Sequence, residues 1–329
     1  MGTVVAPSIA YPVVTAPAKL FLAGEYAVLH GGPAIVAAVS RRAAGQFVPG
    51  AEPASALVGE AVRATIEALA AAREGMDLPP GSVAVDTAVF SAGGAKLGLG
   101  SSAAAATVAV GAVLEAAGVS VGENLDLVFS LAAAAHRAAQ GGVGSGADVA
   151  AAVHGGVVQF VHPREGTPVT RGLPPLPGVE LVVFSTGAAS STVDRVRAVL
   201  AFAARDPARH ATLVGALAEA ASRLRAALGA GDVAELVEAV RAAGAGMHAL
   251  GLAADVPIVT PALAAAAAHA AELGGAAKPS GAGGGDVGAA LFPQRAAADA
   301  FRARAPGLGL SILDITIDST GVSRREGGV

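Results

Sequence analysis

The chain predicts a mixed architecture of strands and helices, α+β or α/β, in two halves with a ligand cleft between them. Three observations lead there. Stretches that alternate every second residue and stretches with helical spacing are interspersed along the whole length, with no fixed-period repeat. A proline-rich passage, "HPREGTPVTRGLPPLPG" from His162 to Gly178, separates an earlier set of such elements from a later one. The 329 residues, 53% hydrophobic, also suffice to fill one large or two ordinary cores. The boundary is set inside the proline-rich passage, giving halves 1–172 and 173–329.

Each element has its own local reason. "VTAPAKLFLAGEYAVLH" opens with a β-type run that turns at Ala23-Gly24-Glu25, and "PAIVAAVS" reads as a short buried strand or a helix start. From Ser55 to Met76 the chain is an amphipathic helix, with Leu57, Val62, Ile66 and Leu69 on one side and Glu60, Arg63, Glu67 and Arg73 mostly elsewhere. "GSVAVDTAVF" alternates like a half-buried strand and delivers the chain into the loop at Lys96. Helices follow from Ala103 and over "NLDLVFSLAAAAHRAAQ"; the loop "GGVGSGADVAAAVHGG" opens another, and "GVVQFVHP" is a strand. In the second half "VELVVFSTG" is a strand, "SSTVDRVRAVLAFAARDP" a helix with Ser or Thr at its cap, and two alanine-rich helices run on to Gly251. A helix from Pro261 to Leu273 precedes a glycine loop, and "GAALF" and "LSILDITID" alternate as closing strands.

Composition excludes several function classes. No cysteine means no disulfide, thiolate nucleophile or cysteine-bound metal, which fits a cytoplasmic protein. A net charge of −4, no basic block and 3% aromatics do not make a nucleic-acid binder. No charge-free and glycine-free apolar run reaches the ~20 residues of a membrane span, and the segment after Ser102 meets Glu115 too early. The N-terminus lacks the basic and apolar regions of a secretory signal, and Gly2 alone is weak support for myristoylation. Small-molecule partners are expected, with the chain a monomer or homodimer.

Of the 22 basic residues only Lys19, Lys96 and Lys278 are lysines. Each stands at the edge of a glycine- or proline-punctuated segment: "APAKLFLAGEYAVLHGGPA", "AGGAKLGLGSSAA" and "GGAAKPSGAGGGDVGAALF". A compact, rotatable point charge beside a glycine loop suits a phosphate site. The second segment runs from a glycine bend through Ser101 and Ser102 into a helix, and a helix start offers unpaired N–H groups and a positive dipole end to an anion. Neighbouring hydroxyls add donors, and one can ligate Mg²⁺. The plainer alternative is a serine-capped helix after a turn, and three such loops weigh against it. The Gly-Lys pair of a Walker loop is absent, and "GLGSSA" lacks the third glycine of a Rossmann fingerprint.

Taken together and in order, "APAKLFLAGEYAVLHGGPAI", "KLGLGSSAA" and "KPSGAGGGDVGAALF" resemble the three motifs of the GHMP kinases, the superfamily of galactokinase, homoserine kinase, mevalonate kinase and phosphomevalonate kinase. The resemblance spans Pro17 to Phe292. Within the superfamily, "HRAAQGGVGSGADVAAAVHGG", "VDTAVFSAGGAKLGLGSSAA" and "STGAASST" look most like the phosphomevalonate kinase branch. It implies an α+β GHMP kinase fold: a ribosomal-S5-like, ATP-binding N-terminal domain over 1–172 and a ferredoxin-like C-terminal domain over 173–329. It also implies Mg²⁺-ATP as donor and 5-phosphomevalonate as acceptor. Two alternatives stay open, a sister kinase acting on an alcohol such as mevalonate, and a relative that binds nucleotide without turnover.

Carried over residue by residue, the resemblance makes Lys19 and Asp148 the catalytic pair. Lys96, Gly98, Leu99, Gly100, Ser101, Ser102 and Ala103 become the ATP phosphate loop, with Ser102 the candidate Mg²⁺ ligand. Glu25, Tyr26, Ser145, Gly146, Ser280, Gly281 and Gly283 line the acceptor side together with Lys19 and Asp148. One departure stands out. Mevalonate kinases carry a Mg²⁺-binding glutamate about eleven residues before the aspartate, where this chain reads His136-Arg137-Ala138. The metal is then held by Ser102, Asp148, water and nucleotide, or the acceptor's extra phosphate changes its placement. Joining two phosphates demands cationic screening, for which Arg137, Arg195 and Arg197 are further candidates, although Arg195 and Arg197 sit at the polar spacing of a solvated helix face. No two histidines have metal-ligand spacing, so His30 and His136 are expected in polar or packing roles.

Overall fold

Strand β1 (Val13–Ala23) runs antiparallel to the long β2 (Pro33–Pro49) and begins the first sheet of the computed structural model, which describes residues 11–72, 78–92, 94–142, 144–163, 165–188 and 191–325. Gly2, Arg73, Val143 and Ser190, which enter the sequence reading, lie outside those residues. "PAIVAAVS" is therefore strand and only the first part of one. After the helix α1 (Ala56–Ala72), β3 (Gly81–Asp86) pairs with the far end of β2, and a two-strand ribbon of β4 (Ser91–Ala92) and β5 (Ala95–Lys96) leads to the glycine bend before α2 (Ser101–Ala116). Helices α3 (Leu125–Ala139) and α4 (Ala147–His154) follow, then β6 (Val157–Val161) on β2 and β7 (Val169–Leu173) on β6. The passage expected only to connect the halves thus contains a strand of the first sheet. Nothing local announces β7, whose partner supplies the order.

Helix α2 is buried almost all round because it lies between β1 and β2 on one side and α1, α3 and α4 on the other. Its alanines let that packing be close: a Cβ added at Gly111 would stand 2.9 Å from Val14 of β1, and one at Gly45 of β2 would stand 2.9 Å from Val108.

The second sheet is antiparallel in the order β11 (Ser311–Leu313), β8 (Glu180–Ser185), β10 (Val287–Phe292), β9 (Ala276–Pro279). Helices α5 (Thr192–Arg205), α6 (Pro207–Ala230), α7 (Val233–Ala254) and α8 (Pro261–Glu272) lie in sequence between β8 and β9, and α9 (Arg295–Arg304) sits between β10 and β11. Ser191, Asp206, Asp232 and Thr260 cap α5 to α8 with their side chains, and Pro207 and Pro261 occupy the first turns of α6 and α8. Phe184, Phe292, Phe301 and Leu263 fill the space between this sheet and the helices α8 and α9. β10 is buried along all six residues rather than alternating, and "LSILDITID" leaves the second sheet after Leu313, making an isolated bridge from Ile317 to Val39 of β2. The chain ends its described course in β12 (Ser323–Arg324), which pairs with β1. Every strand pairing in both sheets is antiparallel, which settles the class as α+β. The α6–α7 hairpin packs on β1 and β2 and, through α7, on β9, so the two sheets are held at a fixed opening. Among the described residues no helix is long and apolar enough to cross a membrane.

Candidate active site

Between the sheets lies a cavity of about 570 Å³. Into it open the three lysine-bearing loops, the start of α4 and one face of α5. Of the residues singled out from sequence, Lys19, Glu25, Tyr26, Lys96, Gly98, Leu99, Gly100, Ser101, Ser102, Ser145, Asp148, Ser280, Gly281 and Gly283 all line it. Ala103 and Gly146 stand just behind its wall, Ala103 buried in the first turn of α2 and Gly146 as the left-handed residue that starts α4. Phe90, Val28, Leu29 and Val196 supply an apolar wall.

The bend before α2 has to be glycine at two places. Gly98 and Gly100 have φ of 70° and 82°; a Cβ at the first would lie 2.6 Å from the Asp286 Cβ, and at the second 2.7 Å from the Lys19 Cγ. Gly100 is the N-cap of α2 and has no side chain to offer, so the first-turn N–H groups and the positive end of the helix are presented beside Ser101 and Ser102 on the cavity wall. Neither serine is the cap. Ser102 Oγ instead lies 3.0 Å from His136 Nε2 of α3.

Two buried lysines sit on strands of the two sheets, one on β1 and one on β9. Lys19 of β1, 8% exposed, donates from Nζ to Gly98 O at 3.1 Å, and its backbone N–H donates to Leu99 O at 3.0 Å. Burial lowers its pKa, Asp148, Glu25 and Asp286 oppose the shift, and Lys278 adds to it. Lys278 of β9, 1% exposed, is ion-paired with Glu25, itself 3% exposed; burial pulls its pKa down and Glu25 pulls it back up. The third lysine, Lys96, is exposed at the rim. Tyr26 adopts a left-handed backbone, φ 62°, at which a non-glycine residue is strained, and its hydroxyl donates to Ala282 O at 2.6 Å. Burial raises the Tyr26 pKa far above the ordinary phenol value, against the Arg195 charge, so the phenol stays a neutral donor. Ser280, expected at the acceptor, has its hydroxyl oxygen taken by the Phe21 backbone N–H at 2.7 Å.

Asp148 stands in the first turn of α4 with its Oδ1 accepting from the Val149 N–H at 3.1 Å. Its Oδ2 is 3.7 Å from His136 Nε2. His136, 2% exposed, thus lies between the Ser102 hydroxyl and the carboxylate, with Gln140 Nε2 at 3.1 Å from the same ring nitrogen. Of the polar and packing roles expected of it, His136 fills the polar one, at the neighbourhood of the missing glutamate. Arg195 also departs from the expected solvated face. Its Nη2 donates to Gly284 O at 3.0 Å, and a Cβ at Gly284 would overlap its guanidinium at 1.8 Å, so the third loop is glycine where the arginine lies on it. Arg197 is exposed as expected. Asp286, which sequence reasoning passed over at the end of "SGAGGGD", lines the cavity with φ 57°.

Residues 56–156 match the GHMP kinases N terminal domain and residues 224–307 match the GHMP kinases C terminal family. The phosphomevalonate kinase of Streptomyces sp. (strain CL190) is 30% identical over 88% of this chain and 92% of its own. The crystal structure of a Lin0012 protein from Listeria innocua superposes with a TM-score of 0.85 at 26% identity, covering 96% of this chain and 100% of that one. Streptococcus pneumoniae phosphomevalonate kinase, solved in complex with phosphomevalonate and AMPPNP, gives a TM-score of 0.81 at 22% identity over 93% and 99% of the two chains. Fold and site together define a phosphotransferase. The chain belongs to the GHMP kinases, and its two antiparallel sheets with the cavity between them are the fold of that family.

Proposed function

We propose that this enzyme transfers the γ-phosphoryl group of ATP to 5-phosphomevalonate, giving 5-diphosphomevalonate and ADP, a step of isoprenoid precursor synthesis. The observation that carries the choice of acceptor is the 30% identity, across most of both chains, with the Streptomyces phosphomevalonate kinase. A protein of the same fold that holds phosphomevalonate and AMPPNP supports it. The two family matches, one inside each half, support residues 1–172 as the ATP-binding half and 173–329 as its partner. A cytoplasmic monomer or homodimer is the corresponding cellular reading.

An oxygen of the acceptor's phosphate attacks the γ-phosphorus, and the bond from that phosphorus to the oxygen bridging to ADP breaks. A phosphate monoester's second pKa is about 6, so at neutral pH the nucleophile is already ionised and needs no base. What this chain has to supply is placement and positive charge. The start of α2 with Ser101 receives the triphosphate, Lys19 faces the migrating group, and Asp148 steadies the Lys19 ammonium. Ser145, Gly281 and Gly283 border the acceptor. Magnesium, when bound with the nucleotide, neutralises phosphate charge. The donor set fits it: Ser102 and Asp148 present oxygens on the cavity wall, and Mg²⁺ takes few protein ligands while keeping water and phosphate. Among the described residues no cluster of three or more His, Cys, Asp or Glu is placed to hold a metal ion.

The test is an ADP-release assay with Mg²⁺-ATP against phosphomevalonate, mevalonate, homoserine and galactose. Turnover dependent on phosphomevalonate is expected. Turnover of mevalonate with none of its phosphate overturns the acceptor, and nucleotide binding without turnover of any of the four favours the non-catalytic relative.

A further inference from the structure

Lys278 does not do what its place beside a glycine loop suggests. It does not line the cavity, its side chain is 0% exposed, and its Nζ is spent on Glu25 and on Phe21 O at 3.4 Å. Glu25 does line the cavity, from the turn after β1. The carboxylate's Oε1 takes Lys278 and also the Gly281 N–H at 3.4 Å, whereas its buried Oε2 has no hydrogen-bond partner. Two further bonds join the same segments, Phe21 N–H to Ser280 Oγ and Tyr26 Oη to Ala282 O. The first and third loops are therefore strapped together, and the Glu25–Lys278 pair is the charged member of the strap.

A buried carboxylate without a counter-charge either takes a proton or captures a cation within reach. Lys19 is the second buried cation of the site, and both groups face Gly281, whose N–H lies 3.4 Å from Glu25 Oε1 and where a Cβ would stand 3.4 Å from Lys19 Nζ. We propose that Lys278 is a positioning residue: by neutralising Glu25 from behind the cavity wall it keeps that carboxylate off Lys19, and so leaves the Lys19 ammonium on Gly98 O and open to an incoming phosphoryl group. The inference rests on the cavity being a phosphoryl-transfer site and is independent of which acceptor is used.

The experiment compares Lys278→Met, Glu25→Gln and the double variant in turnover, with phosphomevalonate or whichever acceptor of the panel the wild type uses, alongside AMPPNP affinity and thermal melting. Lys278→Met leaves Glu25 uncompensated and is expected to lower kcat by about 100-fold, the order of loss from misplacing one catalytic group, with AMPPNP affinity little changed. Adding Glu25→Gln removes the competing charge and is expected to bring kcat up to that of Glu25→Gln alone, whatever Glu25 itself contributes to the acceptor side, a non-additivity that a packing defect does not show. A folded double variant as inactive as Lys278→Met, or a Lys278→Met enzyme with wild-type kcat, overturns the proposal. Replacing a buried ion pair with neutral groups is well tolerated, whereas removing one partner is strongly destabilising. If Lys278→Met does not fold, the double variant is compared with Glu25→Gln: equal turnover supports the counter-charge role, and a kcat more than about tenfold below that of Glu25→Gln overturns it. An inactive wild type across the whole panel would strike the kinase reading instead, a result this comparison cannot be confused with.

Discussion

Lys19 and Asp148 come from elements more than a hundred residues apart, yet Asp148 is the leading charge opposing the burial-driven fall in the Lys19 pKa. On the proposed mechanism the two act as a unit, and units respond to mutation non-additively. Asp148→Asn is expected to lower kcat by about 10²- to 10³-fold through lost charge placement. On the proposed mechanism Lys19→Met should be at least as damaging, because it removes the cation placed to face the migrating phosphoryl group, and the double variant should fall well short of the product of the two. With a phosphate nucleophile, kcat/KM should still rise with pH through the acceptor's own ionisation near about 6 in Asp148→Asn. An alcohol acceptor would need the carboxylate as base and lose that rise. The profile of kcat/KM against pH for wild type and the three variants decides. Independent, multiplying losses would mean that the pair does not act together.

The start of α2 shows what an element inherits from sequence and what it takes from its surroundings. The Gly98–Gly100 bend and the helix beyond it were legible because glycine conformation and alanine propensity are local properties. Local rules also favoured a capping serine, and there they stop: Gly100 is the cap, while Ser102 turns to His136 on a helix 34 residues further on. Ser102→Ala should therefore leave the melting temperature close to wild type and lower kcat or raise the Mg²⁺ requirement. A lower melting temperature with unchanged kinetics would return the serine to a structural role, worth about 1 kcal/mol for a cap. The same limit hid β7, β9 and β12, strands of two to five residues ordered by partners distant in sequence. It also hid the alternation expected of β10, whose two faces are both covered. Arg195 was read from its helical spacing alone, but its partner Gly284 lies 89 residues away.

At the scale of the whole molecule, the division into two successive halves is crossed at the end of the chain. After β11 the backbone returns to the first sheet and to α4: Ser40 N–H donates to Thr316 O at 2.9 Å, Asp318 N–H to Ala38 O at 2.9 Å, and Val322 N–H to Val153 O of α4 at 3.1 Å. Arg42 of β2 fastens this return. Its guanidinium reaches Asp318 Oδ2 at 2.7 Å, Thr320 O at 2.9 Å and Gly321 O at 2.7 Å on the tail, and Thr15 Oγ1 at 3.1 Å and Thr15 O at 3.2 Å on β1. Both members of the Arg42–Asp318 pair are largely buried, at 22% and 16% side-chain exposure, so the screening that makes surface ion pairs weak applies only in part. Arg42→Ala removes one fork that serves six acceptors, Ser323 Oγ at 3.3 Å being the sixth, and the Thr15 and Gly321 carbonyls it leaves are part-buried. A loss of about 2–4 kcal/mol is expected, the range for breaking a buried charged network. Arg42→Lys should recover a minor part, since an ammonium cannot reproduce the planar fork. Arg42 does not line the cavity, so kcat of the folded variant at low temperature should stay within about twofold of wild type, as for sites without shared partners. Urea unfolding with unchanged m, and faster amide exchange confined to residues 314–325 and β1, would match a released strap. A full-strength urea midpoint would show that the β12–β1 pairing holds the tail without Arg42, and a fall in kcat in the folded state would mean that the tail transmits to the cavity through β1.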